Sequence, residues 1–418
     1  MVELETLYGL PNEVKFCARC VISNQRPNSA VEYAHQRDSR KSTIGFDENG
    51  VCDACLVAEK KKKTDWEERE QELHELSAKV RDFEGPYNCI VPGSGGKDSF
   101  FQAHQLKYRF GFRPLTITWA PHIYTDWGRR NHDAWIHAGF DNVMITPNGL
   151  VHRLLTRLAV DNLFHPFQPF MIGQKSLAPR LAVRWGIPLV FYGENEAEYG
   201  NPIADSYSAL RDTSFFQADN PKEISLGGVE FSSLVDDYGI PEHELDMYLP
   251  VDTKAASKLG LEVHYLGYYV KWHPQGAYYY AVENGGFEPS PERTPGTYSK
   301  YNSIDDKIDD LHYWTTFIKF GIGRTTYDAA QEIRNGEITR EEAVALVQRF
   351  DGEWPARFQN ELMEYLSIDH RLGKKTLEMF SDPEMTVEKF MTLADSFRSP
   401  HLWVKNSKGW SLRHTVSA

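Results

Sequence analysis

Six residues, Ser94-Gly95-Gly96-Lys97-Asp98-Ser99, carry the most readable chemistry in this chain. Glycines allow close backbone approach and left-handed dihedrals. A helix opening just after them offers free N–H groups, and its macrodipole favours an anion there. Ser94 and Ser99 add hydroxyl donors and Lys97 adds positive charge. Asp98 would repel a phosphate unless it holds a magnesium ion, whose preference for oxygen ligands fits a carboxylate. The spacing is not the G-x-x-x-x-G-K-[ST] of kinases and GTPases. Ser-Gly-Gly turns are common in loops, so the strand before and the helix after give this one its meaning.

Five cysteines form the second constellation: Cys17, Cys20, Cys52, Cys55 and Cys89. Four of them make two C-x-x-C pairs, enough thiolates for tetrahedral zinc. The 31 residues between the pairs exceed the commonest finger spacing, but a zinc ribbon or knuckle tolerates that length. An iron–sulfur centre or redox-active cysteines are the alternatives. Cys89 falls inside an apolar run and reads as a buried thiol.

The elements that must position these groups follow from periodicity. Tyr87 to Pro92 is a short apolar run that predicts a buried strand, and residues 98 to 110 predict a helix with Phe100, Ala103, Leu106 and Phe110 on its inner face. Strands are expected at Pro114–Ala120, Asn142–Thr146 and Pro188–Tyr192. Helices are expected near 128 to 138, 150 to 163 and 173 to 185. This βα alternation predicts an α/β fold with a doubly wound parallel sheet, covered on both faces. Residues 1–60 read as a four-cysteine zinc-binding, zinc-ribbon-like module and 61–330 as the nucleotide domain. An irregular insertion near 200–300 contains a strand-like piece, Val263–Lys271. Residues 331–418 read as a helical C-terminal region. Asp65 with Glu68, and Thr339 with Glu342, resemble capping boxes. The run Lys60–Lys63 reads as a solvated face or linker.

Composition sets limits. The 418 residues are 41% hydrophobic, and 46 basic against 59 acidic residues give a net charge of −13. That field argues against a nucleic-acid partner. No run of 18 apolar residues suggests a membrane span. The N-terminus lacks the basic start and apolar stretch of a signal peptide, so a cytoplasmic location is expected.

SGGKDS after a strand resembles the PP-loop of the ATP-pyrophosphatase superfamily, whose loop grips the departing pyrophosphate of ATP while the substrate attacks the α-phosphorus. Some tRNA-thiolating members carry clusters, which keeps the iron–sulfur alternative open. Further blocks resemble the N-acetyl sugar amidotransferases of bacterial surface-polysaccharide pathways. These are Cys17-Ala-Arg-Cys-Val21, Trp119–Asp126 with Gly128–Asn131, His165–Phe170, Gly193–Gly200 and Ile318–Arg324. The resemblance runs from about residue 15 to 355. It implies ATP, Mg2+ and Zn2+ as cofactors and an N-acetylated nucleotide sugar as substrate in O-antigen or surface-glycan biosynthesis. It also implies conversion of an acetamido to an acetamidino group, with release of AMP and pyrophosphate.

On this reading Ser94, Gly95, Gly96, Lys97, Asp98 and Ser99 bind ATP, with Asp98 on magnesium. Trp119 and Ala120 flank adenine. Lys97, Asp98, Lys319 and Arg324 are catalytic. Arg129 and Arg130 face the substrate, Glu194 and Glu196 bind the substrate or magnesium, and His122 and Asp126 are weaker candidates. Each has a plain structural alternative: core packing for Trp119, solvation for the acids, ion pairing for the bases. The chain begins Met1-Val2 and Cys89 lies mid-strand, so neither type of built-in glutaminase is expected. Separate glutaminase and barrel subunits resembling imidazole glycerol phosphate synthase would then supply ammonia. A tRNA-thiolating enzyme and a non-enzymatic zinc scaffold are the competing readings.

Overall fold

The computed structural model describes residues 4–417. Residues 1–3 and 418, which belong to the expected N-terminal module and C-terminal region, lie outside them. A five-stranded, all-parallel sheet forms the centre. Its strands are β1 (Cys89–Pro92), β2 (Pro114–Trp119), β3 (Asn142–Ile145), β4 (Leu189–Tyr192) and β5 (Glu262–Tyr265). Their order across the sheet is β3-β2-β1-β4-β5.

Alternation along the strands separates two cores. Ile90 and Val190 point into a cluster with Leu154, Leu158, Leu177 and Leu181. Cys89, Val91, Leu189 and Phe191 point to the other face, against Phe100, Leu106 and Trp135. Both faces are therefore dry, which is why the strands read as continuous apolar runs rather than alternating ones. The fifth strand is the expected strand-like piece of the insertion. It begins at Glu262 and stops at Tyr265, where a short helix, Leu266–Tyr269, takes over.

The helices that matter for the site are α1 (Asp53–Lys62), α2 (Trp66–Lys79), α3 (Lys97–His104), α4 (Asp126–His137), α5 (Gly149–Leu163) and α6 (Gln168–Trp185). Asp65 caps α2, accepting from the N–H groups of Glu67 and Glu68. The expected 98–110 helix ends earlier as α-helix and finishes as a π-helical turn over Gln105–Arg109. Helix α6 begins five residues before its expected start: Pro169 opens its first turn, a position where the missing N–H costs nothing, and Pro179 lies inside it. Beyond the sheet come α7 (Pro274–Gly285), α8 (Ile308–Phe320), α9 (Arg324–Asn335), α10 (Arg340–Phe350), α11 (Gln359–Leu366) and α12 (Val387–Asp395). Thr339 and Glu342 form the full capping box at α10, and Gly336, at φ +82°, ends α9. A hairpin, β6 (Trp403–Asn406) with β7 (Gly409–Leu412), follows within the region expected to be helical.

The lysine run is not a solvated linker throughout. Lys61, on α1, is buried and its ammonium sits 2.8 Å from Glu198 and 3.0 Å from the Trp272 carbonyl oxygen. The run therefore fastens the N-terminal module to the loop after β4.

Close packing between the sheet and α6 leaves no room at Gly173, where an added Cβ would come within 2.3 Å of the Trp119 ring. Gly173→Ala should cost about 1–3 kcal/mol through overpacking, read as a lower midpoint in chemical denaturation with an unchanged slope. An unaltered midpoint would contradict this packing.

Candidate functional site

The strand order reverses between β1 and β4, and in open α/β sheets ligands sit beyond the strand ends at such a point. Here the loop after β1 carries Ser94 to Gly96, and the loop after β4 carries Glu194 and Glu196. Backbone sterics shape the first loop. Gly95 adopts φ +86° and an added Cβ would lie 2.6 Å from the His132 Cα; at Gly93 it would lie 2.2 Å from the Ser99 Cβ. Gly96 stands at the N-cap of α3 with no side-chain cap, so the first N–H groups of the helix are left for a ligand. Ser99 Oγ donates to the Gly96 carbonyl at 2.9 Å and braces the turn.

A cavity of about 620 Å³ opens beside this loop. Lys97, Asp98, Glu194, Glu196, Lys319 and Arg324 all line it, so six of the residues singled out in the sequence meet around one space. Lys97 is buried and lies 2.6 Å from the half-exposed Asp98 carboxylate. Burial, aided by the charge of Asp98, pushes the Glu194 carboxyl up to about 8. Glu194 accepts from the Trp272 indole N–H at 2.9 Å. Glu196 pairs with Arg211 at 2.9 Å. Burial and the neighbouring Lys41 pull the Lys319 ammonium down to about 7, against the pull of Glu32, and it donates to the Leu163 carbonyl at 2.7 Å. Arg324 is held by Asp328 at 3.0 Å and by the Tyr313 hydroxyl.

The remaining sequence candidates lie elsewhere. Ser94 faces a cleft of about 20 Å³ shared with Trp119. Trp119 is 4% exposed and packs in the core against Tyr248, its indole N–H without a partner. Ala120 lines a separate cleft with Asn148 and Arg153. Arg129 and Arg130 are exposed on α4; one lies over the Tyr124 ring and the other is 3.7 Å from Glu288. Neither lines the cavity. His122 Nδ1 lies 2.7 Å from Asp306, whose carboxylate also accepts the His122 and Ile123 backbone N–H groups. That ties the loop after β2 to the start of α8, a bracing role. Asp126 is exposed in the first turn of α4.

Several cavity residues carried no sequence signal. Arg26, Glu32 and Lys41 come from between the cysteine pairs, Arg211 from the insertion, and Asp309 and Arg334 from the C-terminal helices. Asp305 joins the loop from behind: burial raises its carboxyl above the usual range, opposed by a hydrogen bond from Ser94. No spacing rule links positions so far apart; only their charge in otherwise buried surroundings marks them, and burial is not visible in sequence.

The four cysteines of the two pairs converge. Their Sγ atoms all lie within 4.8 Å of one another, with Cys17 to Cys55 at 3.9 Å and Cys20 to Cys52 at 3.7 Å. A tetrahedral zinc with bonds of about 2.3 Å needs sulfurs about 3.8 Å apart, so the set fits. Backbone N–H groups of Arg19, Cys20 and Cys52 donate to Cys17 Sγ at 3.3 to 3.5 Å, as suits a thiolate. The cluster packs on Ala329 and Ala330 of α9 and on Ala343 and Val344 of α10. Cys89 is fully buried in β1, and burial raises its thiol.

Residues 295–384 match the family described as the C-terminal domain of WbpG-like LPS biosynthesis proteins. That segment contains α8, α9 and α10, and so Lys319, Arg324 and Asp328. A stretch of 77 residues is 31% identical to the uncharacterized protein MJ1599 of Methanocaldococcus jannaschii, covering 18% of this chain and 27% of that protein. Among the described residues no helix is long and apolar enough to cross a membrane.

Two outcomes follow from this geometry. Protein purified without oxygen should hold one zinc per chain, lost on Cys20→Ser; two or more irons with acid-labile sulfide would contradict the zinc assignment. A magnesium ion taken up between Asp98 and Glu194 must displace the Glu194 proton. Binding should therefore strengthen as pH rises from 6.5 towards 8, by at most about tenfold per unit for one proton released. Glu194→Gln should flatten that slope in calorimetric titrations with MgATP; a wild-type affinity independent of pH would exclude the assignment.

Proposed function

We propose that this chain is a PP-loop ATP-pyrophosphatase that adenylates the acetamido oxygen of an N-acetylated nucleotide sugar and replaces it with nitrogen from ammonia. The observation that carries the reading is the glycine-rich loop at the head of α3, set at the switch point of a 3-2-1-4-5 parallel sheet, whose next residues, Lys97 and Asp98, line a cavity rich in charged groups. The match of residues 295–384 to WbpG-like proteins supports a role in surface-glycan biosynthesis, and the amide-activating chemistry comes from the resemblance of the loop and its neighbouring blocks.

In this mechanism the N–H groups of Ser94 to Lys97 receive the β- and γ-phosphates, and Lys97 turns from Asp98 towards them. A magnesium ion, held through Asp98 with Glu194 nearby, offsets phosphate charge when bound. The amide oxygen attacks the α-phosphorus and pyrophosphate leaves. Arg324 and Lys319 stabilise charge on the non-bridging oxygens. Ammonia adds to the activated carbon, the C–O bond breaks with AMP as leaving group, and loss of a proton leaves the acetamidino group. AMP departs where an oxide could not, which is the reason for spending ATP. Adenine flanked by Trp119 and Ala120 requires the 20 Å³ cleft beside Ser94 to widen and join the separate cleft that Ala120 lines. The ammonia would come from separate glutaminase and barrel subunits.

The test is mass spectrometry of UDP-linked N-acetyl sugars incubated with the protein, MgATP and ammonium. The product should be about one mass unit lighter, since NH replaces oxygen, with AMP formed in equal amount, and Asp98→Ala should abolish both. AMP formed with tRNA and not with any sugar would move the chain to the thiolating class.

A further inference from the structure

The segment between the two cysteine pairs does more than span them. Residues Arg26 to Ala30, Glu32 and Lys41 line the same 620 Å³ cavity as Lys97, Asp98 and Glu194. Little regular structure holds this segment in place. Among the described residues it has a single 3-10 turn, Glu32–Ala34, and scattered bridges such as Pro27 to Thr43. Its buried apolar side chains lie near its ends, where Val21, Ile22, Ile44 and Val51 pack around the four cysteines, and at Tyr33, which joins the core cluster of Leu154 and Leu177. Other ties hold its middle: Asn201, in the loop after β4, accepts from the Arg26 guanidinium and from the Ser29 backbone N–H, both at 3.1 Å, Gln168 donates to the Glu32 carbonyl at 2.8 Å, and the Tyr33 hydroxyl donates to the Gln217 carbonyl at 2.7 Å.

Two atoms of these lining residues lack hydrogen-bond partners. Arg26 is 5% exposed and its Nε has none; Glu32 is 5% exposed and its Oε2 has none. The ring nitrogens of His165 and His35 stand 3.7 and 3.9 Å from that oxygen, beyond hydrogen-bond reach. Burial works against the Glu32 charge, but His35, His165, Lys175 and Lys41 outweigh it and its carboxyl lies well below the usual range. Arg26 thus offers a charged donor and Glu32, elsewhere on the same cavity lining, a charged acceptor, which suits a ligand carrying neutral groups that can both accept and donate. Hydroxyl and secondary amide groups have that character. An unpaired buried donor and acceptor also discriminate strongly, since a ligand lacking the matching group leaves both unsatisfied.

We propose that Arg26 and Glu32 grip the hydroxyl- and amide-bearing ring of the sugar, and that the four-cysteine metal site, by pinning both ends of the segment that carries them, helps to position them. The inference rests on the sugar reading above and adds the residues that recognise the sugar and an element that helps to position them.

The full-length, zinc-loaded protein is titrated with ATP, with UDP, and with a panel of UDP-linked N-acetylhexosamines, alongside Arg26→Ala, Glu32→Gln and a wild type stripped of metal by chelation. Wild type should bind at least one UDP-sugar more tightly than UDP. Both variants should keep their zinc and their ATP and UDP affinities within about twofold, yet lose about tenfold or more of the preference for the sugar-bearing ligand. The stripped protein should lose it too while still binding ATP; if stripping unfolds the chain, the two metal-bearing variants decide the case. Variants that keep the wild-type preference would overturn this assignment and leave the adenylation reading intact. A wild type that binds none of the panel would count against the sugar reading itself, and this one with it.

Discussion

Packing forbids side chains at two positions of the loop between β1 and α3, and on the proposed reading this leaves its backbone N–H groups open to a phosphate tail. Gly95 lies against the backbone of α4, and Gly93 lies against Ser99, each too close for a Cβ. The loop is thus narrow, fixed, and capped by nothing of its own. Everything else in the structure is arranged around that opening: β1 delivers the chain to it, α3 carries it away, and β4 brings acidic residues to its other side.

Charge is concentrated where the loop opens. The protein as a whole is acidic, yet the cavity gathers Arg26, Lys41, Lys97, Arg211, Lys319 and Arg324 from four separate stretches of chain. Some are paired, as Arg211 is with Glu196. Others are held in tension: Lys319 is close to losing its proton, and Glu194 is close to keeping one. Groups with such shifted protonation gather at functional sites and in structural ion-pair networks alike. The segment between the cysteine pairs and the C-terminal helices contribute to the same space, so regions that read as separate modules share one cavity.

How much of this was visible in the sequence depended on the physics involved. The loop was legible because glycine spacing, a strand and a helix start lie within ten residues of one another. The parallel sheet was legible because strands dry on both faces are apolar throughout, as in Cys89–Pro92 and Leu189–Tyr192. The cysteine pairs pointed to a metal site by spacing alone, and their four sulfurs converge within 4.8 Å of one another. Arg26, Glu32 and Asp305 were not legible, because their meaning comes from burial and from neighbours far along the chain. Lys61 looked like one charge in a solvated run and proved to be buried against Glu198. Trp119 looked equally suited to core or ligand, and its packing against Gly173 puts it in the core.

The central claim is that the N–H groups at the head of α3 hold the outer phosphates of ATP. A crystal structure with a non-hydrolysable ATP analogue and magnesium addresses it directly. The β- and γ-phosphates should lie within hydrogen-bond distance of the backbone of Ser94 to Lys97, with the metal against Asp98. Phosphates bound anywhere else, with that loop left bare, would contradict the account.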